Sequence, residues 1–88
     1  MAQAFADPEE LERFAHSLNQ FIESLNDAVG NLNGSCASLG DTWQDQKRAQ
    51  FEEDYKALVQ QLHHFNVNAE EQVSYLIGRA SHLRDYLQ

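Results

Sequence analysis

The residue types that do chemistry are few in this chain, and their spacing does not suit it. His63 and His64 are adjacent. Neighbours on a helix do not face the same way, so the two imidazoles do not readily share one ion. Metal motifs space their histidines three or four apart, as in His-x-x-x-His, and neither His16 nor His82 supplies such a partner. All four read as solvated or interfacial histidines, and no metal is expected. Cys36 is the only cysteine, so no disulfide can form within the chain. It falls on an apolar helical row, where a lone cysteine is a small core residue; the other reading is a disulfide between two chains. The run Glu52, Glu53, Asp54 stands beside Lys47, Arg48 and Lys56. It reads as a solvated helix face with i,i+4 pairs such as Glu52–Lys56.

No catalytic residue or cofactor site is expected from these groups, because a helical hairpin lacks the concavity a reaction site needs. That leaves Trp43, the only tryptophan, in the segment SLGDTWQDQKRAQF, residues 38–51. The elements on either side of it decide what it can do.

With 88 residues the chain is one domain at most, 1–88, and too short to bury a large core alone. One proline and four glycines argue against a loop-rich β fold. A hydrophobic fraction of 42% is too high for a disordered chain. Fourteen Asp and Glu against six Lys and Arg give a net charge of −8. This argues against nucleic-acid binding, whose phosphate contacts need clustered Lys and Arg, and it disfavours an anionic membrane surface. No stretch approaches the roughly 20 apolar residues of a membrane span. The start, MAQAFADPEELERF, lacks a basic region and an apolar run, so no cleavable signal peptide is expected.

Asp7, Pro8 and Glu10 have the form of a helix start: an N-cap, a proline in the first turn and a capping-box partner. Leucines then recur every seven residues at Leu11, Leu18, Leu25, Leu32 and Leu39. Two flanking rows keep the same period: Ala15, Ile22, Val29, Cys36, and Phe14, Phe21, Ala28, Ser35. Three adjacent rows make a stripe wider than a two-stranded seam. Gly30 and Gly34 are soft spots where a kink would fit, and Gly40 suits a left-handed helix terminator. Asp41 and Gln44 have capping-box spacing for a second helix. Its apolar positions run Phe51, Tyr55, Leu58, Leu62, Phe65, Ala69, Val73, Leu76, Ala80, Leu83 and Leu87. Two successive four-residue steps, at Phe65, Ala69 and Val73, read as a stutter.

The fold expected is all-α: an antiparallel two-helix hairpin, with helix one about 8–39, a turn about 40–44 and helix two about 45–87. At 1.5 Å per residue the helices measure about 48 Å and about 65 Å. A hairpin leaves part of a three-row stripe uncovered, so dimerisation into a four-helix bundle is expected. Phe14, Leu18, Phe21, Ile22 and Leu25 are the candidate dimer seam.

Leu39 stands four residues before Trp43, and Phe51 eight after it. With the hairpin pattern around them, these residues resemble the WXG-type, ESAT-like family of small type VII secretion substrates. The resemblance covers the whole chain in architecture, and in motif the residues Leu39, Trp43 and Phe51; with Gly40 and Asp45 these make up the candidate turn and recognition motif. Two departures stand out. The Trp-x-Gly signature reads Trp43-Gln44-Asp45, with Gly40 as the residue that would open the turn and Trp43 in the first turn of helix two. The C-terminal Tyr-x-x-x-Asp or Glu signal is absent, since Tyr55 leads to Val59 and Tyr75 to Arg79.

The resemblance implies secretion without a cleavable signal peptide from a cytoplasmic pool. It implies pairing with a second copy or with a related WXG-type protein that carries the tail signal, and recognition by a secretion ATPase. A non-exported adaptor that pairs with the N-terminal helices of a toxin is the alternative, and a purely structural hairpin is the third. Trp43 is then either a cap on the end of the core or an anchor for a partner.

Overall fold

A computed structural model describes residues 6–87. The signal-peptide reading of the first residues and the limits of a 1–88 domain therefore fall partly outside the described residues. Two helices follow one another: α1, Pro8–Thr42, and α2, Lys47–Leu87. They pack antiparallel as one hairpin 65 Å long and 18 × 17 Å across. Its radius of gyration, 19.9 Å, exceeds the roughly 12 Å of a compact chain of this length, so the molecule is a rod without a closed core.

The start of α1 is as the sequence suggests, with one difference. The Asp7 side chain accepts from the Glu9 backbone N–H at 3.0 Å, and Pro8 stands in the first turn. Glu10 does not complete the capping box; it pairs with Arg13 one turn on. α1 runs unbroken through Gly30 and Gly34. It also passes through Gly40 to Thr42, three residues beyond the expected end, and no glycine has a positive φ.

The interior is narrow. Among the described residues the buried side chains are Ala15 and Ile22 on α1, and Ala69, Val73, Ala80 and Leu83 on α2, with Leu18 and Leu76 packed against the cluster of Ala15, Ile22, Ala69 and Val73. Three of the six buried residues are alanines, which let two helix backbones approach closely.

The inner row of α2 is not identical with its apolar row. Leu58 and Phe65 are exposed, while Val59 and Asn66 turn partly inward. The row therefore runs Leu62, Asn66, Ala69, Val73, Leu76, Ala80, Leu83, with regular alternating steps. The stutter moves toward the turn, to Phe51, Tyr55 and Val59. Apolarity alone could not make this distinction, because Phe65 and Asn66 are neighbours and the apolar one faces outward.

Polar pairs tie the helices at successive levels. Arg84 grips the Glu12 carboxylate at the open end. Asn66 donates to Asn26 near the middle, and the Tyr55 hydroxyl donates to Asn33 closer to the turn. Among the described residues no helix is long and apolar enough to cross a membrane.

Candidate functional site

The turn is built from side chains that finish one helix and start the next. The Trp43 backbone N–H donates to the Leu39 carbonyl at 2.8 Å, and Trp43 then leaves the helix in an extended conformation. Trp43 is thus the C-cap of α1 and not part of the first turn of α2. The carbonyls of the last α1 turn need partners. The Gln44 amide donates to the Gly40 carbonyl at 3.1 Å, and the Arg48 Nη1 donates to that same oxygen at 3.2 Å. These contacts replace the left-handed glycine expected at Gly40. That glycine serves the close approach of Arg48: a Cβ there would lie 2.5 Å from Arg48 Nη2.

Asp45, not Asp41, caps α2; Asp41 lies inside α1. The Asp45 Oδ1 accepts from the Lys47 backbone N–H at 2.9 Å. It accepts as well from the Trp43 indole Nε1–H at 2.7 Å. The Trp43 ring lies against Phe51, with centroids 5.1 Å apart, and Phe51 stacks on Tyr55 at 6.1 Å. Desolvation pushes the Tyr55 hydroxyl above its ordinary range, and the nearby Cys36 thiol adds to the shift.

Beside this aromatic ladder lies an apolar groove of about 480 Å³, lined by Leu32, Ser35, Cys36, Leu39, Phe51, Tyr55 and Leu58. It opens where the α2 row takes its two successive four-residue steps. The turn thus brings Trp43, Asp45 and Phe51 into contact, and Leu39 joins Phe51 along the groove. Gly40 lies beneath Arg48 and lines a small recess together with Leu39, Trp43 and Phe51. Arg48 and Asn33 are the contributors that the sequence pattern did not single out. Both contacts depend on where the turn falls, which the pattern of apolar residues did not fix.

Along the groove's axis runs an uncovered apolar stripe. Phe14 is 61% exposed and Phe21 52% exposed, and Leu32, Leu39, Leu58 and Phe65 are each more than two-fifths exposed. Phe21 and Phe65 meet edge to face at 5.8 Å across the two helices. Of the five residues assigned to a seam between chains, Ile22 must be set aside. It is 3% exposed and packs within its own hairpin, one position inward from Phe21. Leu18 and Leu25 are half-buried.

The remaining polar groups are surface features. The His63 and His64 rings lie 6.3 Å apart on the exposed side. Glu52 pairs with Arg48 at 3.1 Å, and Lys56 reaches Glu53 at 3.7 Å, so the expected Glu52–Lys56 pair gives way to these two.

A helical hairpin with a tryptophan at its turn and an apolar stripe along one side defines a class of small helical-hairpin proteins. The family described as "Proteins of 100 residues with WXG" (WXG100) matches residues 5–86, and the chain belongs to it. Its fold is shared with the secreted protein EsxB of Bacillus anthracis strain Sterne. The selenomethionine-labelled EsxB crystal structure superposes with a TM-score of 0.85 at 24% identity, covering 100% of both chains. A Glu-to-Gln variant of EsxB gives the same score and identity, covering 100% of this chain and 98% of that one. Among curated proteins, none matches the chain significantly.

Proposed function

We propose that this protein is a small type VII secretion-system component, exported or co-exported as a folded helical-hairpin dimer. The observation that carries the reading is the uncovered stripe from Phe14 and Phe21 to Leu32 and Leu39, continuous with the groove beside Trp43. A contiguous apolar surface of this kind marks an interaction site. A second hairpin laid on the stripe completes a four-helix bundle, and one sequence can supply both halves of a two-fold interface. Membership of the WXG100 family and a fold shared with a secreted protein support export as the purpose of that pairing. Trp43 at the exposed end of the rod is the anchor for the export machinery, and a secretion ATPase is the partner it meets.

A second reading is favoured by one observation. Tyr75 is followed at the fourth position by Arg79, where the Tyr-x-x-x-Asp or Glu pattern that the family resemblance implies would have an acid. An adaptor that stays inside and pairs with the N-terminal helices of a larger toxin would use the same stripe and need no signal of its own. Measuring the wild type and a Trp43→Ala variant in cells and medium of the native host, with a lysis control, separates the readings. Release of the wild type and retention of the folded variant is the expected result. If neither is released, export is wrong and the adaptor reading takes its place.

A further inference from the structure

We propose that Asp45 is the positioning residue for Trp43, and that it presets the ring for an apolar recess on a partner. This rests on the reading of Trp43 as a recognition anchor.

The geometry comes from a single oxygen. Asp45 Oδ1 accepts from the Lys47 backbone N–H at 2.9 Å and from the Trp43 indole N–H at 2.7 Å. The first bond ties the carboxylate to the start of α2 and so fixes where the oxygen lies. The second then fixes the indole relative to α2. Two further restraints act on the same residue. Its backbone is held to the Leu39 carbonyl at 2.8 Å, and its ring rests on Phe51. An aromatic ring on an exposed turn would otherwise sample several rotamers, and a partner would have to select one of them.

The position of the glycine in the Trp-x-Gly signature makes this device possible. No described residue has a positive φ, so this turn does not require glycine at position 45. A side chain can stand there without backbone strain. The chain places a carboxylate there, which caps α2 and restrains the ring at once. A glycine would offer no side-chain acceptor for either.

The arrangement also says what kind of surface fits the ring. The one polar atom of the indole is already engaged within the chain. A receiving pocket therefore needs no acceptor for it and reads the ring by shape and apolar contact. A buried acceptor placed to meet that N–H would be left unpaired, which disfavours such a site.

The lone tryptophan gives a clean probe, because a ¹⁵N-labelled chain shows one indole N–H resonance. The full chain is compared as wild type, Asp45→Asn and Asp45→Ser. Asparagine keeps an acceptor oxygen at the same reach. Serine caps a helix about as well as aspartate but is too short to reach the indole. Asparagine is expected to keep the wild-type indole shift and slow exchange. Serine is expected to move the resonance toward that of the urea-unfolded chain and to speed its exchange roughly tenfold, with unchanged helicity by circular dichroism. An indole N–H that is indistinguishable between wild type and the serine variant overturns the proposal. So does a wild-type indole exchanging as fast as in the unfolded chain, a result that needs no variant to fold.

The functional half is read from release in the native host, where Asp45→Ser is expected to fall severalfold below wild type. Wild-type release of Asp45→Ser, with Trp43→Ala retained, overturns the positioning role and leaves the recognition reading intact. Wild-type release of folded Trp43→Ala fails the recognition reading itself, and the two failures are thereby told apart.

Discussion

The Arg84 guanidinium holds both carboxylate oxygens of Glu12, joining the last turns of α2 to the first turns of α1. The pair lies 72 residues apart in sequence and closes the open end of the rod, opposite Trp43. The hydrogen bonds from Arg84, reinforced by its charge, hold the Glu12 carboxyl below the ordinary glutamate range against an opposing desolvation effect, and Arg84 is raised in turn.

The sign of the pH effect follows. Glu12 has a lower pKa folded than unfolded, so its contribution is complete above the unfolded glutamate value. It is lost as pH falls through the lowered folded value. Both side chains are substantially solvent-exposed, so the effect is that of a screened surface pair. Glu12→Gln is expected to be slightly less stable than wild type near neutrality, and the gap is expected to close on acidification and narrow in high salt. Urea denaturation at fixed protein concentration across the acid range measures it. A gap that persists at the acid end would show that the carboxylate charge is not its source.

The glycines separate backbone effects from packing. A Cβ at Gly34 meets nothing within 4 Å, and α1 is helical throughout that region. Gly34→Ala is therefore expected to stabilise the hairpin by about 1 kcal/mol. Gly40→Ala gains the same helix propensity but drives a Cβ into the Arg48 guanidinium, which must leave the Gly40 carbonyl. Its stabilisation is expected to be smaller than that of Gly34→Ala, or reversed. Equal gains at the two positions would show that Arg48 contributes nothing at the turn.

The hairpin itself was legible in the sequence. Heptad leucines, Pro8 beside Asp7 and the absence of breakers over long stretches leave little alternative to two long helices. The position of the turn was less legible, because Gly40 resembles a terminator while the carbonyls it should cap are met by Gln44 and Arg48. The apolar row of α2 did not separate its inner face from its outer one, because Leu58 and Phe65 lie on an outward apolar stripe. Where inside and outside are both apolar, hydrophobic periodicity cannot choose between adjacent rows. Trp43, Asp45 and Phe51 were legible as a cluster in sequence. The bond between the indole and Asp45 was not, because it depends on Trp43 leaving the helix in an extended conformation.

Asn66 occupies an inner position of α2 that apolar residues fill elsewhere. Its amide donates to Asn26, but its own Oδ1 is buried with no hydrogen-bond partner among the described residues. A buried unsatisfied acceptor costs about 1–3 kcal/mol. Asn26 lies on an exposed position and can turn to water once its partner is gone. Asn66→Leu is therefore expected to raise stability by about 1 kcal/mol or more. It is also expected to loosen the register of α1 on α2, since a polar pair at the edge of an apolar seam specifies alignment. The midpoint of urea unfolding gives the first effect, and extra amide resonances from a second register would reveal the other. A destabilised Asn66→Leu would show that the asparagine pair contributes more than its unpaired oxygen costs.

The stripe makes the last prediction. Phe21 is half-exposed, yet it touches Phe65 on the other helix of its own chain. Replacing it with aspartate therefore tests two things at once, and a control must separate them. Phe14 is more exposed than Phe21 and lies seven residues away on the same face. If a second hairpin covers this face, an aspartate at either position buries an unpaired charge on association while staying hydrated in the free chain. Both Phe14→Asp and Phe21→Asp are then expected to shift native mass spectra from dimer to monomer at equal concentration. Loss of the Phe21–Phe65 contact would add a modest loss of helicity or stability for Phe21→Asp alone. The Ile22 position gives the opposite pattern. Because Ile22 faces inward, Ile22→Val is expected to lower stability by about 1 kcal/mol with the dimer affinity little changed. An undiminished dimer in both phenylalanine variants would place the second chain elsewhere on the rod and would remove the stripe as the basis of pairing.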